Sequence, residues 1–134
     1  MNKQNFQLNP IGPYSQSTEA RNIIFISGQL PIIPITNTMP NNIYDQTYQS
    51  LENIKNILNL KNLKINNIIK ITIFTQNIND LDIINSSYKD FFNMHNDDYK
   101  EKNKCISLPA RSCIEVSKLP KNAKIEIEAI AIRF

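Results

Sequence analysis

Residues 124–134 read KIEIEAIAIRF, an alternation so regular that only an extended strand can use it. Ile125 and Ile127 share one face, and Glu126 and Glu128 share the other. Beyond the glutamates, Ile130 and Ile132 continue that second face as an apolar surface. A face that is charged at one end and apolar at the other is poorly suited to water. The chain must therefore build a sheet with one side under its own helices and the other side against a further subunit, or over a pocket that a subunit roofs.

The rest of the chain supplies the helices. Residues 23–28 (IIFISG) are short, apolar and β-branched, which predicts a buried strand. LPIIPITNTMPNN follows, and its three prolines exclude regular structure. From Tyr44 the apolar positions become Tyr44, Tyr48, Leu51, Ile54 and Leu58, one face of an amphipathic helix. IIKITIFTQ (68–76) predicts another strand, after which Leu81, Ile84, Tyr88, Phe91 and Phe92 return to helical spacing, with Asp80 as a candidate cap. PARSCIEV (109–116) and KIEIEAIAIRF close the chain as two strands separated by SKLPKNA. The order β–α–β–α–β–β, with extended chain before residue 23, predicts a two-layer α+β fold: two helices on one face of a mixed sheet.

The last two strands are expected to pair as a hairpin, with Ile114 and Val116 beside Ile125 and Ile127 under the helices. Arg111, Cys113, Glu126 and Glu128 would then project together from the opposite face. The chain has twelve lysines and three arginines, so an arginine at the start of this strand invites a chemical reason. A guanidinium offers a fixed two-pronged donor to a carboxylate, which an ammonium cannot.

Composition narrows the function. Ile, Asn and Lys contribute 24, 20 and 12 of the 134 residues, as an AT-rich coding sequence would produce, so Asn runs carry little functional information. The two glycines, Gly12 and Gly28, stand in short segments that escape this bias. The length fits one domain, residues 1–134, with one modest core. The longest apolar run, Ile23–Ile26, falls far short of the roughly 20 residues of a membrane span, and MNKQNFQLNP lacks the apolar centre of a signal peptide. A cytoplasmic protein is expected, with Cys105 and Cys113 as free thiols. The net charge is +3 and the lysines are scattered singly, unlike the basic stripe of a nucleic-acid binder.

IGPYSQS, ISGQLP, SLENIKNIL, NSSYKDFFNMHN, PARSCIEVSKLPK and KIEIEAIA together resemble the signature segments of the RidA (YjgF) family, in order and at near-family spacing from about Pro10 to Arg133. These are reactive-intermediate deaminases also described as L-PSP endoribonucleases. The resemblance implies a chorismate-mutase-like fold and a homotrimer whose sheets form a central barrel, with three sites in the clefts between subunits. It implies hydrolysis of small anionic 2-imino acids and their 2-enamino tautomers, such as 2-aminoacrylate released by pyridoxal-phosphate dehydratases, to 2-oxo acids and ammonia. No cofactor or metal is implied. Tyr14, Ser27, Asn85, Arg111, Cys113 and Glu126 match the family's site, with Gly28 beside Ser27 among the substrate-binding positions. By the resemblance, Arg111 clamps the substrate carboxylate, Glu126 holds the attacking water and protonates the nitrogen, and Cys113 completes the catalytic group as a wall offering backbone contacts. NDDYKEKNKCISL, between the second helix and PARS, stands where the family pattern has only a few residues, and so carries an insertion relative to it.

Blander readings stand beside these. Glu128 suits a solvated strand. Cys113 lacks a patterned partner for nucleophilic catalysis, since the single histidine, His95, falls at a helix end where an exposed position is expected. Gly12 and Gly28 belong to no Gly-rich loop, which points to tight-turn geometry rather than phosphate binding. Two other functions remain open: an endoribonuclease acting on single-stranded RNA, and a non-catalytic, chaperone-like ligand-binding trimer. RNA cleavage would require a base, an acid and phosphate contacts that the scattered lysines do not outline.

Overall fold

The computed structural model describes residues 10–95 and 108–134. The insertion after α2 and Cys105 lie outside the described residues, apart from Leu108. Among the described residues there are five strands and two long helices: β1 (Ser17–Ala20), β2 (Ile23–Gln29), α1 (Ile43–Leu60), β3 (Ile68–Thr75), α2 (Leu81–His95), β4 (Ala110–Glu115) and β5 (Ile125–Ile132). They form one mixed sheet in the order β1-β2-β5-β3-β4. β5 lies antiparallel between β2 and β3, so those two strands run parallel to each other and α1 is the crossover that joins them. α2 likewise carries β3 over to the parallel strand β4. The two-layer α+β expectation therefore holds.

The strand periodicity sorts the core as the alternation requires. Ile71 and Ile73 of β3 and Ile125, Ile127, Ala129 and Ala131 of β5 are buried under the helices, with Leu51, Ile54 and Leu58 of α1 and Ile84, Phe91 and Phe92 of α2. Polar side chains share this burial where they hold backbone. Asn53 on α1 donates to the carbonyls of Leu30 (3.0 Å) and Ile32 (2.9 Å), and Gln46 donates to Pro40 O at 2.8 Å and accepts from Lys124 N at 2.9 Å. The proline-rich segment after β2 is thus tied down from α1. Side chains at these helix positions replace the ladder bonds that a segment without regular structure lacks.

The expected hairpin of the last two strands does not form. Among the described residues β4 pairs only with β3, in the register Ile71↔Arg111 and Ile73↔Cys113, and lies at the sheet edge two places from β5. Because Ile71 and Ile73 face the helices, so do Arg111 and Cys113. Ile114, expected to be buried there, is instead 48% exposed on the other face. Glu126 and Glu128, paired with Phe74 and Thr72, also lie on that other face. Arg111 and Cys113 are therefore on the opposite side of the sheet from the glutamates, not beside them.

Local chemistry differs from expectation at the turns too. Asp80 is not the cap of α2: it closes a 3-10 turn, Ile78–Asp80, whose N-cap is Asn77. Neither glycine has a positive φ; the left-handed positions are held by Arg21, Asn22, Asn37, Asn62, Lys121 and Asn122. Arg21 and Asn22 make the two-residue β1–β2 turn, as expected where both central residues have φ > 0. Asn62 ends α1: its N–H donates to Asn59 O at 3.1 Å and that of Leu63 to Leu58 O at 2.9 Å, the Schellman pattern. His95 ends α2 half-buried, with Nε2 2.8 Å from Glu52 Oε1, rather than free in solvent.

Candidate functional site

Two clefts hold the motif residues. The first, of about 410 Å³, is lined by Ile11, Tyr14, Ser27, Gly28, Pro120, Glu126 and Glu128. It forms where β2 departs from regular pairing with β5, between Ile26 and Gln29, so that Ser27-Gly28 bulges beside the glutamate face. Gly28 is needed for space: a Cβ there would lie 2.4 Å from Glu126 Oε1 and 2.9 Å from its Cδ. The Glu126 side chain lies directly against the Gly28 backbone. Burial, assisted by the nearby Glu128 charge, pushes the Glu126 carboxyl above the usual carboxylate range. Ser27 Oγ donates to Ser15 O at 2.6 Å and Ser27 N to Gln16 O at 2.9 Å. The hydroxyl proton is thereby committed to holding the Tyr14 segment, and its lone pairs remain for a ligand. Tyr14 itself is 45% exposed at the rim.

The second cleft, of about 450 Å³, is lined by Asn85, Tyr88, Lys89, Asn93, Leu108, Pro109 and Arg111. Arg111 Nη2 donates to Asn85 Oδ1 at 2.7 Å, and its guanidinium carbon lies 4.9 Å from the centre of the Tyr88 ring. Asn85 and Tyr88 are three residues apart on α2, hence neighbours on one helical face. That spacing could have flagged Tyr88, which its place in the apolar pattern of α2 marked only as core. Cys113 follows Arg111 on the same face, half-buried. Burial pushes its thiol up, with Arg111 pulling the other way, so it is a poor thiolate source. Val116 N donates to Thr75 O at 2.8 Å, and alternation then turns the N–H groups of Arg111 and Cys113 away from β3.

The six motif residues therefore fall into two sets. Tyr14, Ser27 and Glu126, with Gly28, form one; Asn85, Arg111 and Cys113 form the other. The sheet separates them, and β3 lies between β4 and β5, so the sets stand about 10 Å apart in strand spacing alone and on opposite faces. One chain does not bring Arg111 to Glu126. Among the described residues no three His, Cys, Asp or Glu side chains gather where they could hold a metal ion, and no helix is long and apolar enough to cross a membrane.

Residues 5–133 match the profile of the family described as Endoribonuclease L-PSP. The chain belongs to this family, that of the RidA proteins. Among the relatives of this L-PSP family member is a RutC family protein of Buchnera aphidicola from Acyrthosiphon pisum, 49% identical over 124 residues that cover 92% of this chain and 90% of that protein. The 2-iminobutanoate/2-iminopropanoate deaminase of Escherichia coli K12 is 44% identical over 123 residues, covering 92% of this chain and 89% of the deaminase. In three dimensions, Escherichia coli TdcF with bound serine superposes with a TM-score of 0.86 at 39% identity, over 98% of this chain and 97% of TdcF. The mixed sheet with two helices is thus the fold of the YjgF and TdcF structures.

Proposed function

We propose that this chain hydrolyses 2-imino acids and their 2-enamino tautomers to 2-oxo acids and ammonia, at sites completed between the subunits of a homotrimer. The observation that carries the reading is the division of complementary chemistry between two open half-sites. One holds a guanidinium at a sheet edge; the other holds a carboxyl that keeps its proton to higher pH than usual. Neither is useful alone. Facing each other across a subunit boundary, they match the two ends of an imino acid.

In such a site Arg111 of one subunit binds the substrate carboxylate with two parallel N–H···O bonds, held in place by Asn85. The outward N–H of Cys113 adds a backbone donor, and the sulfur takes no covalent part. Glu126 of the neighbouring subunit protonates the imine nitrogen, which makes the attached carbon electrophilic. Water held by the resulting carboxylate adds to that carbon and returns a proton to Glu126. Glu126 passes that proton to the amino nitrogen of the tetrahedral carbinolamine, the C–N bond breaks as ammonia leaves, and the hydroxyl proton returns to Glu126, leaving the 2-oxo acid. The half-buried position of Glu126 supports this duty, since burial makes it hold its proton to higher pH than an ordinary carboxyl does.

The subunit boundary has a surface suited to it. On the sheet face away from the helices, Phe25 and Ile114 are 47% and 48% exposed, and Ile130 lies beside Phe25 on the neighbouring strand. The test is to generate 2-aminoacrylate from serine with a pyridoxal-phosphate dehydratase and follow pyruvate release with and without the purified protein, in the presence of chelator. Acceleration supports the hydrolase. No acceleration, together with cleavage of single-stranded RNA that Arg111→Ala abolishes, would replace it with the ribonuclease reading.

A further inference from the structure

Tyr88 lies at the wall of the second cleft and has no part in the reaction described above. It is 5% exposed and packs on Phe92 at 4.7 Å between ring centres. Its ring also carries the Arg111 guanidinium at 4.9 Å, and its hydroxyl is buried with no hydrogen-bond partner among the described residues. A residue that served only packing would be better without that hydroxyl, and one that served hydrogen bonding would have a partner. What the surroundings do use is the aromatic face.

A guanidinium has two rotational freedoms that matter for a carboxylate fork: swing of the whole group about its aliphatic stem, and spin about Nε–Cζ. Asn85 Oδ1 fixes one Nη in the plane at 2.7 Å. The Tyr88 ring face under the guanidinium carbon restrains the other motion, because the cation is attracted to the π face. We propose that Tyr88 is a positioning residue for Arg111, its ring acting with Asn85 to hold the guanidinium fork open toward the substrate carboxylate. Burial pushes the phenol up to about 12, so the ring remains a neutral platform and does not form an ion pair with the arginine. The proposal rests on the clamp role given to Arg111 above.

The test uses the full chain with Tyr88→Phe, Tyr88→Leu and Tyr88→Met, the last being a flexible filler should Leu disturb the helix packing. Two readouts are taken from each: steady-state kinetics on 2-iminobutanoate, and rotation of the Arg111 guanidinium by 15N-edited NMR, assigned by comparison with Arg111→Lys. Tyr88→Phe is expected to retain slow guanidinium rotation and the wild-type KM. In the Leu and Met variants rotation should quicken and KM rise about tenfold, with a smaller change in kcat. Unchanged rotation and KM in Leu and Met, or a Phe variant as impaired as they are, would overturn the proposal. If the wild type hydrolyses no imine but its Arg111 rotation still quickens in Leu and Met, the hydrolase reading fails and the positioning role of Tyr88 stands.

Discussion

At the residue scale, the least voluminous side chain has the most specific consequence. Gly28 has no positive φ, so its lack of a side chain matters for what lies against it rather than for the turn geometry its composition suggests. A methyl group there would displace the Glu126 carboxyl, a flexible group that can move at little cost. Gly28→Ala should therefore leave the melting temperature within a few degrees of wild type, since loss of backbone entropy in the unfolded chain offsets local crowding. Imine hydrolysis should fall roughly 100-fold, the expected penalty for moving a reacting group by about 1 Å. Equal losses of stability and activity would show that the glycine acts on the fold instead.

Glu126 allows a second test at the same scale. The fold disfavours its ionised form, so the native protein keeps this proton to higher pH than the unfolded chain does. Its contribution to stability is fully present below the ordinary value of 4.5 and is lost as pH rises through the raised value in the folded protein. Glu126→Gln cannot ionise. Calorimetry should find this variant melting above wild type at pH 7, with the difference closing toward pH 4, while its imine turnover at pH 7 is nearly abolished. A wild type that melts higher at pH 7 would contradict the burial reading.

At the element scale, the ends of helices and strands show what asparagine does in a chain with two glycines. Asn22, Asn37, Asn62 and Asn122 all occupy left-handed backbone, where Asn is the least strained substitute for Gly because its short polar side chain can bond locally. Composition had marked asparagine as background, and single residues at element ends are not visible in a compositional count. Asn62 terminates α1 in a Schellman arrangement, where glycine is the usual occupant. Asn62→Gly should be neutral or slightly stabilising, and Asn62→Ala should cost about 1 kcal/mol, as read from urea midpoints. Equal midpoints for all three would mean that the cap relaxes into another conformation.

For the whole molecule, the division of the motif residues into two half-sites makes a quantitative demand on assembly. If Arg111 and Glu126 act from different subunits, Arg111→Ala and Glu126→Gln chains are each inactive alone, yet each carries the half-site that the other lacks. Unfolded together in equal amounts and refolded, they should regain about a quarter of wild-type activity, the chance that a boundary receives an intact residue from each side. Sedimentation at micromolar concentration should show a trimer throughout. Activity that stays at the level of the single variants would place both residues in the same functional unit and defeat the shared site.

The elements and what each presents were legible in the residue pattern alone. The alternation in KIEIEAIAIRF fixed the two faces of β5, because successive side chains on a strand must point to opposite sides. The helical spacing of Leu51, Ile54 and Leu58, and of Ile84, Phe91 and Phe92, fixed which sides of α1 and α2 are buried. The motifs around Tyr14, Ser27, Arg111 and Glu126 were legible as motifs. Which strands are neighbours, and with that on which side of the sheet the motif residues stand, was set by the three-dimensional fold. PARSCIEV can present either Ile114 and Val116 or Arg111 and Cys113 to the helices, so its own pattern leaves the choice open. The crossover through α2 resolves it by laying β4 parallel to β3 at the edge, in a register that sets Arg111 beside Ile71. Periodicity is a property of the local backbone, whereas pairing depends on connections many residues long, and for that reason the faces of each strand could be read before the position of β4 could.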